Sequence, residues 1–213
     1  MKYAKTFLSA VLAGASIAFG GVAFLSLDDR VLGALFFTVG LFTVCVFGLH
    51  LFTGKVCYVF QQDGAYALAL PVIWLGNLLG TALVALAAGA ARIAPIAEKA
   101  RALCQTKLDD SLVSLFVLGV LCNIFIYIAV EGFNRCPHEA GKYLALFFGV
   151  MVFILCGYEH CVADMFYFSM AGMWSGDALL RLLVITLGNA VGGVLFPLAR
   201  AWSAGCQPVN QNK

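Results

Sequence analysis

Long apolar runs, separated by short polar knots, follow one another along the whole chain. Six apolar segments can be drawn, at about 7–27, 31–60, 66–91, 110–133, 142–173 and 178–203. The breaks fall at Asp28-Asp29-Arg30, Gln61-Gln62-Asp63, residues 92–109, Asn134 to Gly141, and Gly176-Asp177. A helix needs about 20 mostly apolar residues to cross the hydrocarbon core of a bilayer, and each segment reaches that length. The pattern predicts an all-α integral membrane protein of six transmembrane helices, forming a single transmembrane domain over 1–213. The run from Phe7 to Leu27 follows Lys2 and Lys5, as a signal peptide would. It is longer than the roughly 7–15 apolar residues of such a peptide and lacks a fitting cleavage site, so it counts as the first span.

The polar stretch 92–109 is the longest and divides the segments into two sets of three, repeat one over about 7–91 and repeat two over about 110–203. Gly48-Leu49-His50-Leu51-Phe52-Thr53 in the second segment is echoed 109 residues later by Gly157-Tyr158-Glu159-His160-Cys161-Val162 in the fifth. Gly76-Asn77-Leu78-Leu79-Gly80 in the third is echoed 112 residues later by Gly188-Asn189-Ala190-Val191-Gly192 in the sixth. An odd number of crossings per repeat makes the second repeat enter from the opposite face, so the two three-helix repeats are inverted. Segments two and five are too long for one straight helix and carry glycine and polar residues at mid-depth. Irregular backbone at that depth is tolerated only where protein or a water-filled cavity satisfies it. Helices two and five are therefore expected to break at the midplane, with half-helix N-termini facing a central site. Such ends carry partial positive charge and suit an anion. The two Gly-Asn motifs read as close-packing positions between helices.

Composition narrows the class. Hydrophobic residues make up 62% of the chain and charged residues 11%, with a mean hydropathy of +0.95. A soluble domain carries about 25% charged residues, so no water-facing surface can be built, and no polar stretch is long enough for a separate soluble domain. The net charge of +2 and the scattered basic residues argue against nucleic-acid binding. Cys45, Cys122, Cys156 and Cys161 lie inside apolar runs and read as small hydrophobes. No metal spacing appears, and no metal or cofactor is expected. Basic residues are divided almost evenly between the loops of the two faces, so the positive-inside rule selects no orientation.

Ionisable residues inside spans are costly and mark functional positions. His160 is foremost, with Glu159 before it and Asp164 one turn after it. A neutral imidazole can hydrogen-bond a passing anion and can exchange a proton near neutral pH. A lone buried histidine can equally be a structural residue satisfied by one hydrogen bond. Thr53 sits at the matching break of segment two and could face His160, although a threonine there often bonds its own helix. Lys142 opens segment five, where its stem could reach a vestibule or simply snorkel to the interface.

Several segments together carry a resemblance to the formate/nitrite transporter family over nearly the whole chain. They are Ala13-Gly14-Ala15-Ser16-Ile17-Ala18-Phe19-Gly20-Gly21, Leu51-Phe52-Thr53-Gly54, Leu121-Cys122-Asn123, Gly157-Tyr158-Glu159-His160, Ala163-Asp164-Met165 and Thr186-Leu187-Gly188-Asn189. The resemblance implies an aquaporin-like protomer in a homopentamer, one pore per protomer, in the bacterial cytoplasmic (inner) membrane with both termini cytoplasmic. It implies that His160 is the central histidine, Thr53 the loop threonine and Lys142 the vestibule lysine. One hydrophobic constriction would be formed by Leu51 and Phe52 with Leu41 nearby, the other by Phe37 and Phe153. An anion would be attracted by the lysine, lose water at an apolar slit and take a proton, so that the neutral acid crosses. His160 would supply or relay that proton. Three positions depart from the family pattern: Asp164 stands where asparagine is usual, His50 where an acidic residue is frequent, and Glu131 where an apolar one is frequent. With Lys55, which brings a positive charge close to the broken loop, they are the expected modifiers of the pore, and compensating pairing among His50, Glu131 and Asp164 is one expectation.

Other classes are weaker. An intramembrane serine protease would need a nucleophile such as Ser175 tied to His160, and no repeat logic links them. A membrane haem protein could take His50 and His160 as axial ligands. A water or glycerol pore is a closer rival, but no Asn-Pro-Ala pair is present. Within the anion reading, formate ranks first, and nitrite, hydrosulfide, acetate and lactate stay open as substrates, as anion or neutral acid, in a protein whose other partner is the lipid bilayer.

Overall fold

The computed structural model of the chain describes residues 2–203; residue 1 and residues 204–213 of the expected domain lie outside that range. Among the described residues there are nine α-helices and no strands. They are α1 (Lys2–Ser26), α2 (Arg30–Val46), α3 (Phe52–Val56), α4 (Gly64–Gly89), α5 (Ile96–Asp109), α6 (Leu112–Arg135), α7 (Glu139–Leu155), α8 (Cys161–Ala171) and α9 (Gly176–Ser203). Four of them, α1, α4, α6 and α9, are long and apolar enough to cross a membrane. The second and fifth apolar segments are each built from two helices and a loop, α2–α3 and α7–α8. Residues 92–109, read from sequence only as a polar divider, contain α5, which packs against α8.

Local chemistry sets the boundaries. Asp29 caps α2 by accepting from Leu32 N–H at 2.8 Å, and Asp63 caps α4 by accepting from Tyr66 N–H at 2.9 Å. Ser111 caps α6 through Ser114 N–H, and Ser175 accepts from Ala178 N–H at 3.1 Å in the first turn of α9. Ser175 is thus a helix cap rather than a nucleophile.

The ends of α2 and α7 are alike. Gly48 (φ 63°) and Gly157 (φ 71°) take the left-handed conformation that a side chain disfavours. The following N–H of Leu49 donates to Val44 C=O, and that of Tyr158 to Phe153 C=O, each at 2.9 Å. Both helices therefore stop in a Schellman turn that redirects the chain.

The same pairings recur in both halves. α1 packs on α2 and α4, and α6 packs on α7 and α9. A Cβ on Gly80 would overlap the carbonyl oxygen of Val11, and one on Gly192 would overlap that of Val120. Glycine is what allows α4 to touch α1, and α9 to touch α6, at backbone distance. At the centre lies α8, with ten of its 11 residues buried. Outward faces of the long helices carry exposed Leu12, Phe19, Leu83 and Leu187. Such a surface is stable against lipid tails rather than water.

Candidate functional site

The first turns of α3 and α8 meet in the interior. Thr53 Oγ1 lies 2.9 Å from His160 Nε2, and both residues are buried. His160 is also the N-cap of α8, its Nδ1 accepting the backbone N–H of Ala163 at 3.1 Å. With Nδ1 used as an acceptor, the neutral ring carries its proton on Nε2 and donates it to the threonine oxygen. The Thr53 hydroxyl proton is then left to donate elsewhere. The Phe153 ring stacks on the imidazole at a centroid distance of 5.7 Å, and Phe37 meets Phe153 edge-on at 6.1 Å.

Two buried asparagines hold the loops that deliver these residues. Asn77 on α4 accepts Phe52 N–H at 2.9 Å and donates to Ala10 C=O at 2.7 Å and His50 C=O at 3.0 Å. Asn189 on α9 accepts Cys161 N–H at 2.9 Å and donates to Gly119 C=O and Glu159 C=O, each at 2.8 Å. Each amide thus satisfies the leading N–H of a short helix and a carbonyl of the loop before it. The Gly-Asn motifs are more than packing positions, because only the asparagine can pair a buried donor and two buried acceptors at once. Asn123 adds a third tie, donating to Thr53 C=O at 3.0 Å and to Asn189 C=O at 2.8 Å. The N–H groups of Cys161 and Ala163 at the start of α8 are bonded within the protein.

Two cavities approach this junction. The larger, about 580 Å³, is lined by Phe24, Phe37 and Phe153 on its apolar side and reaches His160, Glu159 and Asp164. Asp28, Arg30 and Lys99 also line it. Arg30 donates to Leu155 C=O at 3.0 Å, so its guanidinium covers the end of α7. Lys99 donates to Asp28 at 2.8 Å and holds that exposed carboxyl below the usual carboxylate range, first by the hydrogen bond and then by its charge. The smaller cavity, about 140 Å³, is lined by Leu41, Leu51, Lys55, Tyr58 and Asn134. His160 lines the first cavity and Leu51 the second. Phe52, the remaining predicted constriction residue, is buried at the start of α3.

The buried lysine in the larger cavity is Lys107, on α5. Its ammonium donates to Glu159 Oε2 and lies 3.1 Å from Asp164 Oδ1, and all three side chains are over 90% buried. Lys142, the lysine expected in a vestibule, instead pairs with Glu139 at 2.5 Å in the first turn of α7 and lines neither cavity. Sequence reasoning passed over Lys107, yet a signal was present. The buried face of α5 is Ile96, Ala100, Cys104 and Lys107, so a lysine occupies the apolar stripe of an amphipathic helix.

The expected modifiers are placed separately. Glu131 bonds Tyr58 Oη and Arg200 at 2.9 Å and Arg135 at 2.5 Å. Asp164 pairs with Lys107, and the His50 imidazole bonds the backbone of Thr6. The three do not pair with one another; each bonds other residues instead. Both ring nitrogens of His160 are engaged, so axial ligation of a haem would break at least one of its hydrogen bonds.

A family model described as formate/nitrite transporter matches residues 1–203. The nitrite transporter NirC of Salmonella typhimurium is 31% identical over 92% of this chain and 82% of the relative. A structure described as a pentameric formate channel with formate bound superposes with a TM-score of 0.80 at 26% identity, over 95% of this chain and 97% of that one. An FNT family ion channel superposes with a TM-score of 0.84 at 28% identity, over 95% and 90% of the two chains.

Proposed function

The chain belongs to the formate/nitrite transporter family, and on that premise we propose that it is a homopentameric channel for small monovalent anions of weak acids, formate first. Nitrite, hydrosulfide, acetate and lactate are the alternatives within that class. In this reading α1, α4, α6 and α9 each cross the bilayer whole, while α2–α3 and α7–α8 are crossings broken at the midplane. Six crossings result, in two inverted three-helix repeats of a single transmembrane domain. Both termini face the cytoplasm at the bacterial inner membrane.

One observation carries the proposal: the Thr53–His160 hydrogen bond joins the two short helices between the two cavities. Rings of Phe37 and Phe153 guard one approach, and Leu41 and Leu51 the other. A bare anion in such an apolar slit costs many kcal/mol, whereas its neutral acid costs far less. The anion collects at the mouth of the larger cavity, by Arg30 and Lys99, sheds water at the phenylalanines and takes a proton before it crosses. At the junction, His160 orients the Thr53 hydroxyl, which donates to the solute. The ring itself stays neutral as long as Nδ1 caps α8.

The test is flux into liposomes holding the purified protein, measured for formate, nitrite, hydrosulfide and acetate against pH, for wild type and His160→Asn. Flux of at least one solute, reduced by the substitution, supports the proposal. Equal and negligible flux of all four in both proteins overturns it.

A further inference from the structure

Asp164 adds a second carboxyl group to a buried ion pair that one carboxylate already completes. Lys107 contributes one positive charge, while Glu159 and Asp164 together contribute two negative ones. Asp164 is 1% exposed, and its Oδ2 is buried with no hydrogen-bond partner. A buried carboxylate oxygen without a partner is costly, and a surplus negative charge in a cavity that admits anions is doubly so. Two carboxyl groups held by one cation resolve this by keeping one proton between them.

We propose that Lys107, Glu159 and Asp164 form a site holding one exchangeable proton, and that this proton is the one passed to the anion. The second half rests on the channel reading above. The site is well placed: Asp164 N–H donates to His160 C=O at 3.0 Å, so the cluster lies within one helical turn of the junction, in the cavity an anion enters. The proton leaves a carboxyl oxygen of the cluster for an oxygen of the anion. The neutral acid moves on past Phe153, and the carboxylate left behind stays paired with Lys107. A hydronium ion from the mouth at Asp28, Arg30 and Lys99 restores the proton. One anion and one proton thus cross together, and no net charge moves.

The groups facing the cluster favour this assignment. From α8 come Tyr167, whose ring centroid lies 5.9 Å from Lys107 Nζ, and Cys161. Cys104 of α5 and Cys122 of α6 are thiols close enough to feel its charge. On α9, Arg181 bonds the backbone carbonyl of Lys107 and pairs its own charge with Asp177. The neighbouring His160 has both ring nitrogens engaged. None of these supplies a second cation to the carboxyl groups.

The experiment compares wild type with Asp164→Asn and Glu159→Gln in liposomes, by infrared spectroscopy and by formate flux against outside pH. Wild type is expected to show the C=O stretch of a protonated carboxylic acid that shifts in D₂O and titrates away as pH rises, and both variants to lack it. Formate flux in Asp164→Asn is expected to fall on the order of 10-fold or more at acidic outside pH, with a flatter pH profile than wild type. No carboxylic-acid band that either variant removes, or pH profiles that coincide, overturns the inference. Absence of flux for every anion in wild type instead defeats the channel reading, while the band still decides whether the cluster holds a proton.

Discussion

Thr53 and His160, 107 residues apart, are joined by one 2.9 Å hydrogen bond between the first turns of two short helices. Asn77, Asn189 and Asn123 hold the two loops at the spacing in which this contact forms. Replacing Thr53 by valine keeps the shape and deletes the hydroxyl. Formate flux is expected to drop about 10-fold, the value of one hydrogen bond of roughly 1.4 kcal/mol, and Thr53→Ser to restore most of it. Wild-type flux in Thr53→Val would remove the hydroxyl from the pathway.

Asn189 serves three buried backbone groups. Asn189→Leu fills the space and pairs none of them, at about 1–3 kcal/mol for each group left unsatisfied. A clear fall in the unfolding temperature of the detergent-solubilised protein is expected, with a similar fall for Asn77→Leu. An unchanged melting curve in both variants would show that water replaces the clasp without cost.

Lys107 is the cation shared by two buried carboxyl groups. Lys107→Met leaves them without it, a change that costs about 3–5 kcal/mol when one partner of a buried pair is removed. The single variant is expected to give little folded protein by size-exclusion chromatography. Adding Asp164→Asn is expected to recover part of it, since less unpaired charge remains. No recovery in the double variant would mean that the loss does not come from an unpaired Asp164 charge.

At the mouth, the Asp28 carboxyl is held below its usual range by Lys99. A depressed carboxyl keeps its pairing at neutral pH and loses it only as pH falls through the lowered value. Between about pH 5 and 8 the pair is intact, so half of the mouth's charge there is cancelled. Asp28→Asn frees the Lys99 ammonium and is expected to raise formate flux at low salt. At about 1 M salt, where the Debye length is about 3 Å, the gain disappears. Equal flux at low salt in both proteins would show that entry does not depend on this charge.

Much of the architecture is legible in the chain itself. The apolar segments locate the helices because lipid leaves no other way to satisfy a spanning backbone. The echo of Gly48 in Gly157 marks both Schellman turns, since a positive φ needs glycine wherever it recurs. The echo of Asn77 in Asn189 was visible too, although its meaning was not. A clasp is defined by its partners, and Ala10, His50, Gly119 and Glu159 are brought to the two amides only by packing.

The lysine shows the limit most plainly. Lys142 and Lys107 are both charged residues close to apolar segments, and the family resemblance pointed to the former. α5 folds back over α8 and buries Lys107 beside Glu159 and Asp164, while Lys142 stays with Glu139 at the start of α7. The apolar runs and their glycine and polar interruptions by themselves located the long helices and the interrupted segments, though not α5, because those choices depend on each residue's own neighbours. Which charges meet in the interior was decided by tertiary structure alone, because an ion pair between residues 52 or 57 positions apart depends on how the helices stack.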